Sequence, residues 1–161
     1  MIVGKPMIIA VDFDGTCVTH EYPKIGKEIG AAPVLKWLTD NGHKIILHTM
    51  RGKLDNGKGD LDDALWWFKE HDIPLFGVNE NPTQISWTQS PKPYAQLYID
   101  DAALGCPLML NPALSDRPFV NWARIKTELE GIFESGFVIG FTDLIGVENG
   151  SHNSARFDNS N

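Results

Sequence analysis

The sequence predicts an α/β domain on a mostly parallel sheet with helices on both faces, and three observations carry that expectation. Short apolar runs rich in β-branched residues alternate with segments of helical periodicity. The first run, "MIIAV" at 7–11, is apolar on both faces, as a central parallel strand must be. Three of the runs end abruptly in polar or charged residues, which a parallel sheet would gather at one edge.

The elements follow in order. After "MIIAV" come Asp12 and Asp14, then a Gly/Lys/Glu-rich loop, "CVTHEYPKIGKEIGA" (17–31). Residues 33–41 read as a helix, with Pro33 at its start, Val34, Leu35 and Leu38 on one stripe, and Gly42 as the stop. "KIILHT" (44–49) is the second strand. The next helix lies in 59–72, where Leu61, Ala64, Leu65 and Phe68 recur at helical spacing. Trp66 and Trp67 sit partly off that stripe; core packing is the favoured reading, and an oligomer contact the sharper one. "PLFGV" (74–78) and "AQLYID" (95–100) are the third and fourth strands, and "PLML" (107–110) is a candidate fifth. Residues 119–135 read as a helix burying Ile125, Leu129, Ile132 and Phe133. "GFVIGFTDLIGV" (136–147) is apolar without a clear periodicity, and the polar residues after it are expected to be disordered. The domain is therefore expected to span 1–148, with a tail at 149–161.

Bulk properties narrow the function. A chain of 161 residues suits one domain with a real core, and 42% hydrophobic with 22% charged residues is ordinary for a globular protein. The net charge of −7, without any basic block, argues against nucleic acid as the main partner. A small phosphorylated ligand stays compatible, because a divalent cation could supply local positive charge. Cys17 and Cys106 form no CxxC, and the five histidines have no zinc-like spacing. No stretch approaches the ~20 apolar residues of a membrane span, and the N-terminus lacks a signal-peptide pattern. A cytoplasmic protein with reduced thiols is the expectation, with a homo-oligomer as one option for its assembly.

The chemistry lies at the strand ends. The first strand runs out into Asp12 and Asp14, the second into Thr49 and Arg51, and the fourth into Asp100 and Asp101. Four carboxylates at one rim repel one another, and some would take up protons unless something compensates. A hard divalent cation such as Mg²⁺, which prefers oxygen ligands, is the natural compensation. "DFDG" alone could be a simple turn with a glycine at positive φ; the company of "ILHT" and "YIDD" makes the cation site the better reading.

In this order, "IIAVDFDGT", "IILHT" and "LYIDD" resemble the motifs of the haloacid dehalogenase superfamily, over about residues 7–110. More finely, they resemble a small group of its capless bacterial and phage members. The resemblance implies a Rossmannoid three-layer sandwich and a Mg²⁺-dependent phosphomonoesterase. Asp12 would be the nucleophile that forms an aspartyl phosphate, and Asp14 the general acid and base. The metal would be held by Asp12, the Asp14 carbonyl, Asp100 and Asp101. Thr49 would bind a phosphate oxygen, and Lys92, between Pro91 and Pro93, is the best candidate for the family's phosphate-site lysine. Arg51 is a candidate phosphate or substrate ligand from its own chemistry. Neither interval between the motifs has room for a folded cap domain, so the site is expected to be open. Selectivity would then come from the 17–31 loop, from Arg51 with Lys53 and Lys58 in a glycine-rich lid, or from a neighbouring subunit. A phosphotransferase and a non-catalytic phosphate- or metal-binding module of the same fold are the alternatives.

Overall fold

The computed structural model describes residues 5–53 and 59–135. The apolar runs form four parallel strands: β1 (Ile8–Val11), β2 (Lys44–Leu47), β3 (Leu75–Val78) and β4 (Leu97–Ile99), in the order β3-β2-β1-β4. Three helices accompany them: α1 (Ala31–Asp40), α2 (Leu61–Glu70) and α3 (Trp122–Glu134). β1 is central, as its doubly apolar sequence requires. Its register sets Val11 beside Leu47 of β2 and Ile99 of β4, so three strands end at one level.

Alternation along the strands divides the interior. Ile9, Val11, Ile45, Leu47 and Ile99 face the main core, together with Val34, Leu35 and Leu38 of α1. The same core buries Ala64, Trp67 and Phe68 of α2 and Ile125, Leu129 and Phe133 of α3. Ala10 and Ile46 point the other way and meet Ala95, Ile8 and Phe76 in a small second cluster. All three described helices therefore bury their apolar stripes against one face. Topology explains it: the steps from β1 to β2 and from β2 to β3 run in the same direction, so right-handed crossovers put α1 and α2 on one side.

The return from β3 to β4 crosses the other side, and there, among the described residues, no α-helix forms the second helical layer that the sequence predicts. Residues 79–96 form an irregular segment with a single 3-10 turn, Gln84–Ser86. Pro82, Pro91 and Pro93 cannot donate to a helical ladder. Side chains hold the segment instead: the Gln84 amide donates to the carbonyls of Ser90 (2.8 Å) and Lys92 (3.1 Å) and accepts from the Tyr94 N–H (2.7 Å).

Two further boundaries differ from the sequence reading. The fifth strand forms as β5 (Leu108–Met109), but it pairs antiparallel with β6 (Phe119–Val120) outside the main sheet. Residues 119 and 120 are thus strand and not helix. Asn121 separates the two elements, its side chain capping α3 by accepting the Arg124 N–H at 3.1 Å. Between the motif residues there is no cap domain among the described residues. The apolar segment 136–147 and the tail 149–161 lie outside the described residues.

The tandem tryptophans divide cleanly. Trp67 is 2% exposed, packs edge-on against Phe13 and Phe68, and donates from Nε1 to Glu28 at 2.6 Å, whereas Trp66 is 55% exposed. Trp67→Ala is expected to cost about 3–5 kcal/mol in urea denaturation, while Trp66→Ala stays within about 0.5 kcal/mol. Equal losses at the two positions would contradict this packing.

Candidate functional site

The strand ends deliver the predicted residues to one edge. His48 donates its N–H to the Val11 carbonyl (2.8 Å), and Asp12 donates its own to the Ile99 carbonyl (3.0 Å), so the ladder holds up to the first carboxylate. The chain then turns sharply. The Phe13 carbonyl accepts from the N–H groups of Thr16, Cys17 and Val18, and Gly15 donates to the Val18 carbonyl at 2.8 Å. Gly15 has φ +80°, and a Cβ there would lie 2.5 Å from Asp101 Oδ2. Only glycine lets this turn pass so close to the carboxylates. Thr16, fully buried, joins the two motifs: its hydroxyl lies 3.1 Å from Asp12 Oδ2 and 3.4 Å from Asp101 Oδ1, and it accepts the Asp101 N–H at 3.1 Å.

Asp12, Asp100 and Asp101 converge, each offering an oxygen within 4.8 Å of the others. Burial raises the pKa of Asp12 from 3.8 to about 7; the Phe13 N–H opposes the shift, and the Asp100 and Asp101 charges add to it. Asp101 is also raised by burial, with His20 pulling against it and Asp100 adding to it. His20 Nε2 is 3.7 Å from Asp101 Oδ2. Asp100 accepts the Ala102 N–H at 2.8 Å. Three oxygen donors, two of them reluctant to carry charge side by side, are a set that fits a hard divalent cation.

Asp14 takes a different path. Its two oxygens accept from Arg51 in a fork, Nε at 2.7 Å and Nη2 at 2.7 Å. Arg51 is only 1% exposed, and its remaining N–H groups go to the carbonyls of Pro23 (3.1 Å), Asp60 (3.2 Å) and Lys24 (2.8 Å). Its guanidinium carbon lies over the Phe13 ring at 4.9 Å and over the Tyr22 ring at 5.4 Å from the centroids. The sequence reading of Arg51 as a phosphate ligand is therefore corrected: it lines the cleft, but all five of its donors are spent within the protein.

The other expected groups separate. Thr49 lines the cleft; its N–H donates to Asn79 Oδ1 (2.8 Å) and its hydroxyl accepts the Arg51 N–H (3.1 Å). Lys92 is not among the cleft residues; its ammonium sits over the Tyr98 ring, 5.1 Å from the centroid. Of the expected lid, Lys53 pairs with Asp62 at 3.2 Å, and Lys58 lies outside the described residues. The cleft has a volume of about 670 Å³, and its wall includes Tyr22, Met50 and Arg117 beside the aspartates. Sequence reasoning singled out the loop that carries Tyr22, but it had no signal for Arg117, which follows a weak strand at a distance from every motif.

Fold and site together define an α/β protein with an acid-lined cleft at the carboxyl edge of a parallel sheet. No protein-family model matches the chain, and no curated protein is similar to it. Among solved structures, a conserved protein from Bacteroides thetaiotaomicron is similar, with 32% identity and a TM-score of 0.62 over 79% of this chain and 92% of that one. At that identity and coverage, the chain belongs to the same family as this conserved Bacteroides protein.

The carboxylate cluster predicts a pH signature in metal-free protein. Asp12 ionises near 3.8 when unfolded and near 7 when folded, so in between the folded chain holds a proton that the unfolded chain has lost. Its contribution to stability therefore falls as pH rises through that window. With a chelator present, the melting temperature of Asp12→Asn minus that of wild type should increase from pH 4.5 to pH 7.5. A difference that stays flat with pH would mean that Asp12 titrates normally.

Proposed function

We propose that the protein is a Mg²⁺-dependent phosphomonoester hydrolase of the haloacid dehalogenase type, acting through an aspartyl phosphate on Asp12. The observation that carries this reading is the convergence of Asp12, Asp100 and Asp101 at the sheet edge, with Asp14 and Thr49 lining the same cleft. The order of the motifs along the chain supports it as well. A magnesium ion held by Asp12, Asp100 and Asp101 would offset the charge of the phosphoryl oxygens and keep Asp12 ionised.

The chain's own residues then have defined tasks. An Asp12 oxygen attacks phosphorus, and the bond to the ester oxygen breaks. Asp14, which must enter this step protonated, gives that proton to the departing alkoxide. In the second half a water attacks the phosphorus of the acyl phosphate and Asp14 takes its proton, releasing inorganic phosphate and regenerating Asp12. The Arg51 fork fixes the Asp14 carboxylate without consuming it, because each carboxylate oxygen keeps a second lone pair. The Thr49 hydroxyl, already accepting the Arg51 N–H, has its own proton left for a phosphate oxygen.

One observation favours a second reading. A doubly bonded Asp14 also suits a phosphate- or metal-binding module in which no proton is transferred. Phosphate release from a panel of phosphorylated metabolites and p-nitrophenyl phosphate separates the two. The hydrolase should release phosphate with Mg²⁺ and lose activity in chelator. An added alcohol as competing acceptor distinguishes a phosphotransferase. Asp12→Asn should abolish turnover, and Asp14→Asn should slow it about 10²–10⁴-fold. Wild-type turnover by Asp12→Asn, with reversion of the amide to Asp excluded by mass spectrometry, would rule out the covalent route.

A further inference from the structure

Uncommitted positive charge is scarce in the cleft. Asp12, Asp14, Asp100 and Asp101 all line it, and the guanidinium of Arg51 is fully committed to Asp14 and three carbonyls. A phosphate dianion entering such a cleft needs cationic donors of its own, beyond a bound cation that the aspartates already neutralise. The Lys92 ammonium lies over Tyr98, outside the cleft wall.

Arg117 is placed differently. It lines the cleft, it is exposed, and its guanidinium has no partner among the described residues. The loop that carries it is anchored on both sides. Val120, three residues on, donates its N–H to the Gly15 carbonyl at 3.0 Å, and Trp122 Nε1 donates to the Thr16 carbonyl at 2.6 Å. On the near side, Lys27 Nζ holds the Leu114 carbonyl at 2.7 Å. The loop between β5 and β6 is thus tied to the turn that carries Asp12 and Asp14, and its Arg117 lines the same cleft as the carboxylates.

We propose that Arg117 supplies the cationic contact to the substrate's phosphate, the task that the motif resemblance assigned to Lys92. Its fork pairs two oxygens of a terminal phosphate at once, and its charge favours monoester dianions over singly charged diesters. The inference rests on the hydrolase reading and assigns its specificity.

The test compares wild type, Arg117→Ala, Arg117→Lys, Lys92→Ala and the surface control Arg124→Ala in saturating Mg²⁺. Inorganic phosphate binding is measured by calorimetry, and hydrolysis of p-nitrophenyl phosphate by steady-state kinetics. Arg117→Ala should weaken phosphate binding and raise KM by about tenfold or more, with a smaller change in kcat. Arg117→Lys should recover part of the loss, and melting temperatures should match wild type, because the side chain holds no other element. An active wild type whose phosphate affinity and KM are indifferent to Arg117→Ala overturns the inference alone, as does a loss that appears in Lys92→Ala instead. A wild type that neither binds phosphate nor hydrolyses the ester overturns the hydrolase reading and this inference with it.

Discussion

The guanidinium of Arg51 has five N–H groups and almost no contact with water, so each must find an oxygen inside the protein. The acceptors come from three separate stretches: the turn after β1, the carbonyls of residues 23 and 24, and the entry to α2. Removing such a cation from water costs several kcal/mol, and only a complete set of partners offsets that cost. The segments around the cleft are therefore held together by one group's need for acceptors. A lysine could not substitute, because its three donors radiate from a point and cannot form the planar fork that Asp14 receives.

The same clamp explains why two carboxylates can leave one strand a single residue apart. Alternation alone would put residues two apart on one face; the turn after β1 takes Asp14 to a different neighbour. Asp14 meets a guanidinium, while Asp12 meets two more carboxylates and a hydroxyl. One position is electrostatically answered within the chain. The other is left in want of a cation, and a parallel sheet edge delivers that want to solvent, where a ligand can meet it.

The sequence made the sheet and most of the site legible. β-branched runs announced β1 and β2, and the polar residues that end β1, β2 and β4 announced the shared edge. Two kinds of information were out of reach. Phe119 and Val120 join the helical pattern of α3 in the sequence; only the pairing with Leu108 and Met109, and the cap at Asn121, separate them. The partner of a charged residue was equally hidden. Arg51 and Arg117 look alike as letters, yet one is walled in by carbonyls from remote segments and the other is bare. Which carbonyls surround a side chain depends on how loops return, and no local periodicity records that.

The strand order also governs when the site can come into being. β1, α1, β2, α2 and β3 lie consecutively along the chain, so that half of the sheet assembles from near neighbours as synthesis proceeds. β4 docks on the far side of β1 much later; the Ile8 N–H waits for Gln96, 88 residues away. Loop closure over that span is the slow, non-local step. Until β4 docks, Asp12 is spared the like charges of Asp100 and Asp101 that it faces in the finished fold. A ribosome-bound chain is thus relieved of the crowded acidic edge until β4 has emerged, and the three-carboxylate set is incomplete before then.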